Sequence, residues 1–128
     1  MTDGYTAYRA VAKSNPYITH SCSWAHARRK FKEAQKAQLK GKIGKADMAI
    51  NYIAKLYAVE KQTKNSDAEL RHHSRQEKSV AKLESFHTWI TKAGQQVPPK
   101  TPLGKAVHYT LAYWPELTRY TENGDWPI

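Results

Sequence analysis

The sequence predicts a mainly α-helical chain with at most one or two short strands, and three observations carry that expectation. Glycine and proline punctuate the chain at a few places, chiefly Gly41 and Gly44, the stretch from Gly94 to Pro102, Pro115 and Gly124. The segments between these marks are long and rich in Ala, Lys, Glu and Leu, which lose little on entering a helix. Within them, apolar residues recur at spacings of three and four, the period of a helix with one buried face.

Taken in order, residues 5–14 form a short helix capped by Thr2 or Asp3 and ended by Asn15-Pro16. Residues 17–20, Tyr-Ile-Thr-His, are β-branched and aromatic enough for one short strand. Residues 24–39 form a helix with Ala27, Phe31, Ala34 and Ala37 or Gln38 on one stripe and a basic opposite side. Residues 43–61 form a more amphipathic helix through Ile43, Ala46, Ile50, Ile53, Ala54 and Tyr57. Ser66, three residues before Glu69, has the spacing of a capping box. It opens a helix running to residue 92 with Leu70, Val80, Leu83, His87 and Ile90 on one face. These last two helices pair as a hairpin across the polar turn Thr63-Lys64-Asn65. Thr101 caps a further helix with Pro102 at its first position, carrying Leu103, Ala106, Val107, Thr110, Leu111 and Trp114. Pro115 starts a last short helix, and Asn123-Gly124 stops it. The aromatic cluster Tyr109, Tyr113, Trp114 and Tyr120 reads as core.

The chain has 128 residues, enough for one ordinary domain, and 21 Lys plus Arg against 11 Asp plus Glu. A net charge of +10 excludes an acidic, cation-buffering surface and favours a polyanionic partner, nucleic acid first. No apolar run is long enough to span a membrane and no leader pattern opens the sequence. A single cysteine forms no internal disulfide, which points to a reducing, cytoplasmic setting.

The charge is concentrated. Arg28, Arg29, Lys30, Lys32, Lys36, Lys40, Lys42 and Lys45 fall within 18 residues with only Glu33 against them. Such a run is either a solvated helix face or a phosphate-contacting one. Its concentration of one sign favours phosphate, which Lys meets as a point charge and Arg also as a fork. Trp24 and Phe31 beside it either stack on bases or pack inward. His20, Cys22 and His26 are metal-ligand types, but they lack the second ligand pair of a structural zinc site, so packing competes with metal binding there. Asp3, the only acid before Glu33, reads locally as a helix cap. No phosphate-cradling glycine loop and no nucleophile–base pair stands out.

Six collinear segments together resemble transposases of the insertion sequence 66 family. They are Asp3-Gly4-Tyr5-x-x-Tyr8; Trp24-Ala25-His26-Ala27-Arg28-Arg29-Lys30-Phe31; Leu56-Tyr57-x-x-Glu60; Arg75-Gln76-x-x-Ser79; Leu103-Gly104-Lys105-Ala106 with Tyr109, Trp114 and Leu117; and Asn123-Gly124-Asp125-Trp126-Pro127-Ile128. The resemblance implies a DDE transposase with a ribonuclease-H-like core, in which three carboxylates hold two Mg2+ or Mn2+ ions that activate the attacking oxygen and stabilise the leaving one. It assigns Asp3 as the second carboxylate and, with it, a metal ligand of the complete enzyme. The first and third carboxylates are expected before Met1 and after Ile128.

The chain is therefore expected to be the piece between the second and third carboxylates. Residues 1–40 are a remnant of the catalytic core with the basic helix, and residues 41–128 are a helical insertion. Such a piece should bind DNA, both transposon ends and target, through Arg28, Arg29, Lys30, Lys32 and Lys36. It should hold no cofactor and cut no strand by itself. One departure from the family pattern stands out. Its Cys before Trp-Ala-His aligns with Ser23, so Ser23 and His26 take the place of a Cys-x-x-His pair, as a polar pair of structural role. Two other readings remain: a helical protein-interaction module that self-associates for transposase assembly, with residues 43–92 as its surface, and a free-standing small basic DNA-binding protein.

Overall fold

A computed structural model describes residues 23–38 and 44–128. The expected helix at 5–14 and strand at 17–20 lie outside them, as do Asp3, His20, Cys22, Lys40 and Lys42. The elements are α1 (Trp24–Ala37), α2 (Lys45–Gln62), α3 (Ala68–Ser74), a π-turn (Arg75–Ser79), α4 (Val80–Gln96), α5 (Pro102–Ala112), α6 (Trp114–Thr118) and a closing 3-10 turn (Arg119–Glu122). The described residues are mainly helical and include no strand.

Three helices, α2, α3 and α5, begin where a nearby side chain or backbone group supplies a hydrogen-bond partner at the N-terminus. The Gly44 N–H that opens α2 donates to the Asp47 carboxylate at 2.8 Å. Asp67, not Ser66, caps α3: its Oδ1 accepts from the Leu70 N–H at 2.8 Å. Asp and Ser are comparable caps, and the chain turns one residue later than the Ser66–Glu69 spacing suggests. Thr101 caps α5 as its sequence predicts, its hydroxyl accepting from the Gly104 N–H at 3.0 Å, with Pro102 in the first turn.

Four of these helices close a ring: α1 packs against α2 and α5, and α4 packs against the same two. The centre is aromatic. Trp24 of α1 meets Phe86 of α4 and Trp114 of α6 at 5.6 Å each, the latter edge-on. Tyr52 of α2 stacks on Phe86 at 4.9 Å and 5°. Trp24 and Phe31 are fully buried, so of the two roles left open for them they take packing. Ala27 and Ala34 complete the buried stripe of α1. Of the two expected stripe ends, Ala37 is exposed and Gln38 is half-buried.

Two stripes are rotated from their expected positions. On α2 the buried residues are Ala46, Ala49, Ile53, Leu56 and Val59; Ala54 faces solvent and Ile50 and Tyr57 are flanking. Between α3 and α4 the π-turn inserts an extra residue per turn, which shifts the inward face. Leu70 before it is therefore 51% exposed, and after it the inward residues are Leu83, Phe86, Ile90 and Ala93 rather than a stripe through His87. His87 is exposed and rests on the Trp114 ring at 4.8 Å.

Candidate nucleic-acid interface

Because the inward stripe of α1 is small and aromatic, its basic residues are left on the outside. Arg28, Arg29, Lys30 and Lys36 are exposed and Lys32 is half-buried. At 3.6 residues per turn, Arg28, Arg29, Lys32 and Lys36 share one side of the helix. Lys30 lies on the other flank, its Nζ 4.8 Å from the centroid of the Tyr109 ring on α5, a cation–π contact. Among the described residues no carboxylate within ion-pair distance meets any of the five. The C-terminal end of α1 is fixed instead by amides: Gln35 and Gln38 both donate to the Asp47 carboxylate. These bonds and the Gly44 N–H, the strongest influence, hold the Asp47 carboxyl down to about 2.

The basic side of α1 borders a groove of about 690 Å³ shared with α2. Arg28 and Arg29 stand on one bank and Lys61 on the other, with Tyr57 and the small side chains Ala25, Ala54 and Ala58 between them. None of the described residues that line it is an acid. Lys61 and Tyr57 belong to this surface but escape a reading by charge run, since Lys61 is sixteen positions beyond Lys45.

A second polar centre has the opposite character. Arg75, at the start of the π-turn, is 3% exposed and grips Glu60 of α2 with both prongs, Nε to Oε2 at 3.0 Å and Nη2 to Oε1 at 2.6 Å. Its remaining nitrogen donates to the carbonyls of Tyr120, Asn123 and Trp126 at 2.8–2.9 Å. Its guanidinium lies 4.9 Å from the Tyr120 ring centroid. Gln76 donates to the Thr121 carbonyl at 2.6 Å and Arg71 to the Gly124 carbonyl at 2.8 Å. Burial first, then the Glu60 charge, pushes the Tyr120 phenol far above its ordinary range.

This cluster is where three separate sequence motifs meet: Leu56-Tyr57-x-x-Glu60, Arg75-Gln76-x-x-Ser79 and Asn123-Gly124. Two motif glycines also answer to packing. A Cβ on Gly124 would lie 1.8 Å from the Ala68 carbonyl oxygen, and one on Gly104 would lie 2.0 Å from that of Pro98. Much of the motif pattern in this half therefore serves architecture, whereas among the described residues the exposed Arg28-Arg29 pair meets no carboxylate.

Ser23 is buried, and its carbonyl accepts from the His26 and Ala27 N–H groups at 3.0 and 3.3 Å; its side chain makes no cap bond. Among the described residues no cluster of His, Cys, Asp or Glu fits a metal ion. None of their helices is long and apolar enough to cross a membrane.

Residues 1–128 match the family model described as "Transposase IS66 family". Two curated relatives are similar over 97% of the chain, both from Sinorhizobium fredii (strain NBRC 101917 / NGR234): "Uncharacterized protein y4jD" at 30% identity and "Uncharacterized protein y4qI" at 33%. The chain spans 25% and 24% of their lengths. No solved structure matches.

Proposed function

The chain belongs to the IS66 transposase family, and from that premise we propose that its helical part holds DNA for a transposase through phosphate contacts on the outer side of α1. Arg28 and Arg29 are the principal contacts, with Lys32 and Lys36 along the same side and Lys30 on the flank. The observation that carries this reading is the outward placement of these cations, none met by a carboxylate of the described residues, on a helix whose other side is buried. Five cations on one element, opposed by Glu33 alone, are poorly explained by folding, and phosphate is the partner they suit.

In the complete protein the proposed activity is DNA cleavage and strand transfer in the cytoplasm, with transposon ends and target DNA as partners. Asp3 would serve as one of three metal-binding carboxylates for Mg2+ or Mn2+, residues 1–40 as part of the ribonuclease-H-like core, and residues 41–128 as its helical insertion. The described residues do not themselves fit a metal, so no chemical step is assigned to them. The 128 residues by themselves are proposed to be inactive, because one carboxylate cannot hold two metal ions. Magnesium- or manganese-dependent nicking by this chain, lost in Asp3→Ala, would refute that. The self-association reading is less favoured: among the described residues the exposed large apolar side chains are Met48 and Leu70, isolated positions of the kind ordinary surfaces tolerate.

The test of DNA binding is the affinity of the chain for a short labelled duplex across a salt series. The expected result is weak sequence preference and a linear fall of log affinity with log salt. Affinity unchanged between low and moderate salt sinks the proposal.

A further inference from the structure

We infer that the groove between α1 and α2 seats the sugar-phosphate backbone of a DNA strand, held from both helices by Arg28 and Arg29 on one bank and Lys61 on the other. This rests on the DNA reading above and extends it from a charged face to a shaped site on a second helix.

The groove has the composition such a ligand needs. Its banks carry three cations and none of the described residues that line it is an acid, so the charge complementarity is with an anion. Its floor carries alanine methyls, which leave room for a backbone to approach and offer apolar surface to deoxyribose carbons. Tyr57 lies half-buried in the lining. Burial, opposed by the nearby Arg28 charge and helped by that of Glu60, raises its phenol above the ordinary value, so at neutral pH it is a protonated hydroxyl able to donate to a phosphate oxygen. Lys61 is exposed in the last turn of α2. A helix face that bound only by charge would need neither the concavity nor a cation from α2.

The experiment measures DNA affinity and its salt dependence for four variants of the chain at exposed positions: Arg28→Gln, Lys61→Gln, Ala58→Leu and Lys55→Gln. Lys55 is also on α2 but lies over the Tyr52 ring and is not among the residues that line the groove, and serves as the control. Ala58→Leu fills the groove without changing charge and suits a helix. Urea midpoints confirm that each variant folds.

Lys61→Gln is expected to weaken binding about two- to fivefold and to lower the salt slope by about 0.7–0.9. Ala58→Leu should weaken binding at every salt concentration with the slope unchanged, and Lys55→Gln should leave affinity near that of the parent. If Arg28→Gln weakens binding while Lys61→Gln and Ala58→Leu behave like Lys55→Gln, the groove is overturned and the α1 face remains. If Arg28→Gln also leaves binding unchanged, both fall. Tighter binding of polyglutamate than of DNA at the same salt would likewise overturn the site, showing a groove built for an acidic peptide.

Discussion

Arg28 and Arg75 carry the same side chain into opposite situations. Arg75 is buried, forked onto Glu60 and bonded to three backbone carbonyls of the C-terminal turn, so its donors are used inside the protein. Arg28 stands on the outer side of α1 beside a groove, with no carboxylate within ion-pair distance among the described residues. The difference lies in what the fold places opposite each guanidinium. An arginine surrounded by carbonyls and a carboxylate is a fastener. One facing solvent next to other cations is available to a ligand and adds little to folding.

The contrast can be attacked from its strong end first. Arg75→Met should destabilise the fold by about 3–5 kcal/mol, because it strands a largely buried Glu60 and three carbonyls; the urea midpoint measures it. A loss near that of a surface change would mean Arg75 is not a fastener. Gly124→Ala drives a methyl into the Ala68 carbonyl beside the same cluster and should cost about 1–3 kcal/mol, again read by urea unfolding.

Asp67→Ala removes the cap that starts the helix leading into Arg75 and should cost about 1 kcal/mol. Ser66→Ala at the neighbouring position should cost less, which separates the two cap assignments. At the other end of the comparison, Arg29→Gln should change stability by no more than about 0.5 kcal/mol while lowering the DNA salt slope by about 0.9. A large stability loss there would erase the distinction.

The smallest effect concerns Asp47. Its carboxyl titrates near 2 instead of 3.8, so its contribution is fully present above the unfolded value and is lost as pH falls from 3.8 towards 2. The stability gap between the parent and Asp47→Asn should therefore be widest near neutral pH and narrow through that window, measured as urea midpoints at a series of pH values.

The helices were largely legible from spacing and punctuation. Thr101-Pro102 marked the start of α5, and Ala27, Phe31 and Ala34 marked the inward side of α1. The hairpin of α2 with α4 followed from two amphipathic segments and a polar turn. The departures have a common cause: periodicity says that a face exists, and packing decides its rotation. Leu70 has the apolar character of an inward residue, but the π-turn after it moves the inward face to Leu83, Phe86 and Ile90. Of the candidate site, the basic cluster was visible as a run in the chain. Lys61 and Tyr57 were not, because they reach the groove from another helix.

What the sequence determined alone is a basic, mainly helical chain whose collinear motifs mark its family. Helix propensity, capping chemistry and charge are local properties and can be read residue by residue. Only the tertiary structure decided which motif residues are fasteners and which face outward. Glu60, Arg75 and the carbonyls of Tyr120, Asn123 and Trp126 meet through contacts between segments 15 to 51 residues apart. The same packing buried Trp24 and Phe31 and left Arg28 and Arg29 outside, because a helix with one aromatic side inward must turn its charged side to solvent.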